Sequence, residues 1–332
     1  MSQSRTRAAM VPVTRRVRAY FAAVDRATES PAIFDPAKMG LFELEAPPTP
    51  WIDLGWVDNL DRISGTTTEC MRTGPVNGAS VQFRASLDAR VEFDFREWGK
   101  LQMALAGGVQ HMNVLAADPN ADPEPLGGSP LLGVAVLPGS TATEIQVGAG
   151  VNAFAIGDMV AVDVDYAQQT GYVGAGIPGA FVRSAADVLM DPNYIRRVTF
   201  NVGRVAGATS SSLLMEQPLL GGAPAQDALV QKVIAFADRE GGSFFQEWSA
   251  VFVLEEQSGG RVCFYYPRLS PSTPAEAAAS GYQRERRIEI AEPIAAVALH
   301  AAFVALPHKD HNDGEITVCY RSYFPSSAAA LY

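Results

Sequence analysis

The sequence predicts a mainly β protein with long strands, one short helix and a small β-domain inserted into the first. Three observations carry this. Val81, Phe83, Ala85, Leu87, Ala89, Val91, Phe93 and Phe95 alternate with Gln82, Arg84, Ser86, Asp88, Arg90, Glu92 and Asp94, the period-two signature of a strand with one apolar face. The composition is rich in turn formers, with Gly 29 and Pro 22. Helical spacing recurs in one short segment, 97–106, and elsewhere the pattern is that of strands.

Length and composition bound the rest. At 332 residues, with 48% hydrophobic and 19% charged residues, the chain can bury a substantial core and favours two units over one. A formal charge of -10 argues against gripping nucleic acid with a basic face, since phosphate contacts need clustered Lys and Arg. Cys70, Cys263 and Cys319 are widely spaced and odd in number, so neither a disulfide framework nor a zinc site is signalled. No apolar run reaches the roughly 18 residues of a membrane span. Met1 to Ala9 has no apolar segment after its arginines, so no secretion signal is expected.

Taken in order, residues 1–50 read as an extended arm, basic through Arg5, Arg7, Arg15, Arg16 and Arg18 and then Pro-rich. Its aromatics Tyr20, Phe21, Phe34 and Phe42 need cover, from a neighbouring subunit or from the chain's own body. Strands begin at Trp51, and Gly65 to Gly78 reads as a long exposed loop. Val81 to Phe95 contains no Gly, Pro or Asn, which favours one strand of roughly 50 Å over a hairpin. Trp98, Leu101 and Leu105 recur at helical spacing before Gly107 and Gly108, predicting a short helix over 97–106. Four prolines and two glycines in 117–130 mark a domain boundary. The expected organisation is therefore an arm (1–50), a discontinuous β-domain (51–116 and 222–332) and an inserted small β-domain with its linker (117–221). Val230 to Ala237, Phe244 to Glu255, Arg261 to Pro267, Ala295 to Leu306 and Ile316 to Tyr323 are the strands expected to rejoin the first domain.

Catalytic chemistry is not signalled. Gly174, Gly176 and Gly179 fit GxGxxG, but Pro178 removes an amide where a phosphate would be cradled. His308 and His311 flank Lys309 and Asp310, a spacing better suited to a polar hairpin turn than to a metal. Asp163 and Asp165 alternate with valines, as on a solvated strand face. No GxSxG, HExxH or P-loop is present. No catalytic residue, cofactor or metal is assigned.

The segments Pro50 to Asn59, Arg62 to Thr67, Arg72 to Gly74, Ala89 to Ala106 and Gln110 to Val114 resemble phage tail tube proteins, the major tail subunits of long-tailed bacteriophages. The likeness spans about residues 15–115 and thins across the insert. It implies a β-sandwich or barrel with a short flanking helix, subunits in homo-oligomeric, hexameric rings with sheets joined edge to edge, and rings stacked into a tube. It further implies a virion protein assembled in the host cytoplasm. Its partners would be further copies of itself and the tape-measure, tail terminator and distal tail proteins, with genomic DNA passing through the lumen without sequence-specific binding. The lumen-facing candidates are Gln82, Arg84, Ser86, Asp88, Arg90, Glu92 and Asp94, and the alternative is that this face meets outside solvent or another sheet. The 65–78 loop and the arm would make ring-to-ring contacts, and the insert would sit outside. Rival readings are an inner-tube subunit of a contractile tail or injection device, a carbohydrate-binding β protein using Trp51, Trp56 and Trp98, and a hydrolase.

Overall fold

In the computed structural model the described residues are 17–25, 28–73, 78–97, 99–107, 111–116, 133–163, 202–226, 228–238, 246–256, 259–272 and 299–326. The elements in chain order are β1 (Val17–Ala23), α1 (Pro36–Met39), β2 (Ile52–Thr73), β3 (Gly78–Phe95), α2 (Lys100–Gly107), β4 (His111–Leu115), β5 (Gly133–Ala135), β6 (Glu144–Gln146), β7 (Met159–Asp163), β8 (Val202–Ala208), β9 (Ser212–Met215), β10 (Leu229–Asp238), β11 (Trp248–Glu255), β12 (Arg261–Pro271), β13 (Leu299–Ala305), β14 (His308–Lys309), β15 (Ile316–Thr317) and β16 (Tyr320–Phe324). The protein is mainly β, with two antiparallel sheets and a small β14–β15 hairpin. It divides into two compact units, Met1–Gly108 with Gln246–Tyr332, and Val109–Phe245.

In the first unit the strands run β11–β1–β2–β3–β13–β12, and β12 pairs back onto β11. Every pairing in this circuit is antiparallel, so the sheet closes on itself and loses its open edges there. Strand β12 serves two partners along one edge: Arg261–Tyr265 pair with β16 and Leu269–Pro271 with β13. Inside the closed sheet Phe21, Phe93, Phe252 and Phe303 are at most 1% exposed. Their ring centroids lie 5.3 to 6.1 Å apart. Each buried ring contributes about 1.5–3 kcal/mol through area alone, with about 0.5–1.5 kcal/mol per well-oriented pair.

The arm is not separate from this unit over its described part. Residues 17–23 form β1, hydrogen-bonded to β11 on one side and β2 on the other. Phe21 points into the closed sheet. Tyr20, on the opposite face, is covered by Phe34, Leu44 and Trp51. The aromatics are thus buried against the chain's own body, tied by Tyr20 Oη donating to Leu44 O, Tyr265 Oη to Ala32 O and Arg261 Nη1 to Phe42 O. A strand buried on both faces reads as a continuous apolar run, which is why β1 shows no alternation.

The long strand is present as expected: β3 runs unbroken from Gly78 to Phe95. The expected 65–78 loop differs, because β2 continues as strand to Thr73. Pairing with β3, from Gly65 opposite Asp88 to Thr73 opposite Gly78, holds these polar, Thr-rich residues extended. Leu101 and Leu105 are buried in α2, the expected helix.

The second unit's sheet runs β4–β10–β7–β8–β9–β6, with β5 also on β10. Its core comprises Val136, Ile145, Val147, Val160, Val162, Val205, Leu213 and Val230 with their neighbours. Val230 to Ala237, expected to return to the first domain, lies within β10 of this sheet, between β7 and the β4 and β5 strands. Residues 174–179 and Asp165 of the sequence reading lie outside the described residues.

Candidate functional site

The feature that stands apart is the far half of the β2–β3 pair. Among the described residues, β1 pairs with β2 as far as Val57, and β13 pairs with β3 from Arg90 to Phe95. Between Ile63 opposite Arg90 and Thr73 opposite Gly78, the two strands continue as a ribbon of roughly 35 Å. Along this stretch no third described strand pairs with either edge. Residues 63–71 are all exposed, including Ile63 at 49% and Met71 at 55%. Exposed apolar side chains on a two-stranded stretch are a feature of a strand-pairing surface.

The lumen candidates lie on this ribbon and its root. Gln82 and Arg84 stand opposite Cys70 and Thr68 in register, with side chains outside the described residues. Ser86, opposite Thr67, and Asp88, opposite Gly65, are exposed. Arg90 is half-buried, its Nε 3.5 Å from Asp88 Oδ1, and Glu92 is half-buried opposite Asp61. Asp94 is buried at 3% exposure. It accepts from Asn59 Nδ2 at 2.6 Å and lies 2.8 Å from His300 Nδ1 on β13. The series therefore runs from solvent at the ribbon to burial at the closed sheet; alternation assigns a face but does not say what covers it.

The root carries a residue that the sequence did not single out. Arg62, opposite Val91, lays its guanidinium 3.6 Å from the centroid of the Phe264 ring. It donates from Nε to Tyr266 Oη at 2.6 Å and from Nη2 to Cys319 Sγ at 3.3 Å. Burial pushes the Tyr266 phenol up to about 12, and burial also raises the Cys319 thiol, against the opposing pull of Arg62. Burial thus favours the neutral forms of both partners beside the cation, in a stacking and hydrogen-bonding arrangement.

Among the described residues no group of three His, Cys, Asp or Glu could hold a metal ion. His308 and His311 stack edge to face at 6.0 Å, while Asp310 accepts from Tyr320 Oη and the Asn312 amide. Trp51 is 5% exposed, and Trp56 is half-buried under Arg18, whose Cζ lies 5.3 Å from its ring. No helix among the described residues is long and apolar enough to cross a membrane. No protein-family model matches the chain, and no curated protein matches it.

Proposed function

We propose that this chain is a structural subunit of the tail-tube type, a virion protein that assembles into stacked homo-oligomeric rings around a channel for DNA. The observation that carries the reading is the β2–β3 ribbon, which projects from a closed sheet with its outer edges unpaired by any described strand. A closed antiparallel sheet needs no partner; an exposed two-stranded extension offers a surface to one. The finer assignment is a tail-tube sandwich or barrel with an inserted β-domain, for which the short helix α2 and a second β unit are the supporting features.

The lumen assignment rests on Ser86, Asp88, Arg90 and Glu92, with Asp61 beside them on β2. Three of these five are carboxylates, and repulsion between such a wall and phosphate would keep DNA moving.

Negative-stain microscopy of the purified protein at rising concentration tests the class. Rings or tubes are the expected outcome, and persistent monomers would overturn the reading. Arg90→Glu, imaged in assembled tubes, tests the face: the altered side chain should lie at the channel wall, and a position on the outer surface would remove the lumen assignment.

A further inference from the structure

We propose that the root of the β2–β3 ribbon is a two-sided clamp that sets the ribbon's direction in the isolated subunit, before any partner is met. A two-stranded stretch whose described side chains are exposed gains little from its own packing, so its direction depends on what holds its base. Here the base is pinned on both faces at a built irregularity.

The irregularity is a bulge. The β2–β3 register shifts between Asp58 and Asp61, and Asn59 sits at φ 53, a left-handed conformation that Asn tolerates better than most residues. An extra residue on one strand bends the pair and raises its twist, so this is the point at which the ribbon's exit angle is decided.

From one face, Asn59 Nδ2 donates to Asp94 Oδ2 and His300 Nδ1 meets Asp94 Oδ1. One buried carboxylate thereby joins the bulge on β2 to β3 and β13. Arg96 adds a bidentate pair to Asp58, at 2.7 and 2.6 Å. From the other face, Arg62 reaches across to Phe264 and Tyr266 of β12 and to Cys319 ahead of β16. Bonds to charged groups are the strong class of hydrogen bond, and these fall on both faces of β2 within the five residues from Asp58 to Arg62. If the ribbon pairs with other copies, which rests on the tail-tube reading, the clamp removes the orientational cost of binding in advance.

The test uses the full-length monomer below any assembly concentration, spin-labelled at the exposed Cys70 and at Glu43→Cys, with a Cys70→Ser control for labelling at Cys319. Pulsed dipolar spectroscopy reads the width of the distance distribution. The clamp predicts one narrow distribution in the parent, broadened roughly twofold or more by Arg62→Gln and by Asn59→Gly, the loosening expected of a locally released segment. Asn59→Gly keeps the backbone conformation and removes only the amide, so it remains informative if Arg62→Gln fails to fold. A parent distribution that is already broad, or variants as narrow as the parent, would overturn the clamp. A narrow ribbon in a protein that never forms rings would sink the tail-tube reading and leave the clamp standing. Rings formed by a protein with a broad ribbon would do the reverse.

Discussion

Gly40 lies directly against the ring of Phe324, so close that a Cβ at this position would overlap the ring edge and stand 2.7 Å from the carbonyl oxygen of Pro36. The ring could swing aside, but the backbone carbonyl cannot. Gly40→Ala is therefore expected to cost about 1–3 kcal/mol, the usual range for overpacking, read as a lower urea midpoint at unchanged slope. An unchanged midpoint would mean that the α1 turn is not seated on β16.

Arg18 is 7% exposed and is shared between two carboxylates of different standing. It makes a bidentate contact with Asp53, whose side chain is 22% exposed, and a single contact with Glu45, which is 79% exposed. Removing the cation strands Asp53, so Arg18→Ala is expected to destabilise by about 3–5 kcal/mol. Glu45→Gln, at a solvated site, is expected to change stability far less than Arg18→Ala. Arg18→Lys should fall between them because an ammonium cannot reproduce the planar fork. Chemical denaturation of the three variants checks the order, and equal losses for Arg18→Ala and Glu45→Gln would contradict it.

How much of this was legible in the sequence depended on how many faces of a strand meet water. β3 has one polar face near the ribbon, so its alternation announced it from end to end. β1 is buried on both faces and looked like an arm. Residues 65–73 looked like a loop because their partner strand, rather than their own burial, keeps them extended. The ribbon's root was harder still. The bulge at Asn59 shifts the phase of β2, so Arg62 could not be seen from the sequence to stand on the face toward Phe264 and Tyr266. Asp94 read as one more member of a polar series, because only register reveals that His300 faces it. Nothing in 230–237 distinguishes a strand of the first sheet from one of the second; tertiary pairing alone decides it.

Acid should weaken each unit through a different carboxylate. Burial pushes Asp158 up, but Lys232 Nζ at 2.7 Å and the Ala155 amide outweigh it and hold it below the ordinary 3.8. Asp310 is held down by the Asn312 amide and the Tyr320 hydroxyl. A carboxylate with a lowered folded value binds fewer protons than in the unfolded chain. Its stabilisation is complete above about pH 4 and is lost as pH falls through the folded value. Asp158→Asn and Asp310→Asn are therefore expected to lower the melting temperature at pH 7 and to converge on the parent near pH 2. A gap that persists at pH 2 would show that these substitutions act through packing instead.

At the alkaline end the sign reverses. Burial pushes the Cys263 thiol from 9.0 up to about 12 and the Tyr266 phenol from 10.0 to about 12, and it raises Tyr20 and Tyr265 as well. These groups remain neutral in the fold after their unfolded counterparts have ionised. Their contribution is therefore complete below about pH 9 and is lost as pH rises toward 12. The cysteines make the onset observable without a melting curve. Cys70 is exposed and Cys263 buried, so a thiol reagent at pH 8 should modify Cys70 quickly while Cys263 reacts only in denaturant or above the alkaline onset. Cys70→Ser should abolish the fast phase. If Cys263 instead reacted at pH 8 as fast as Cys70, the packing of β12 beneath residues 32–51 would not be as tight as the contacts of Tyr20, Phe34 and Trp51 require.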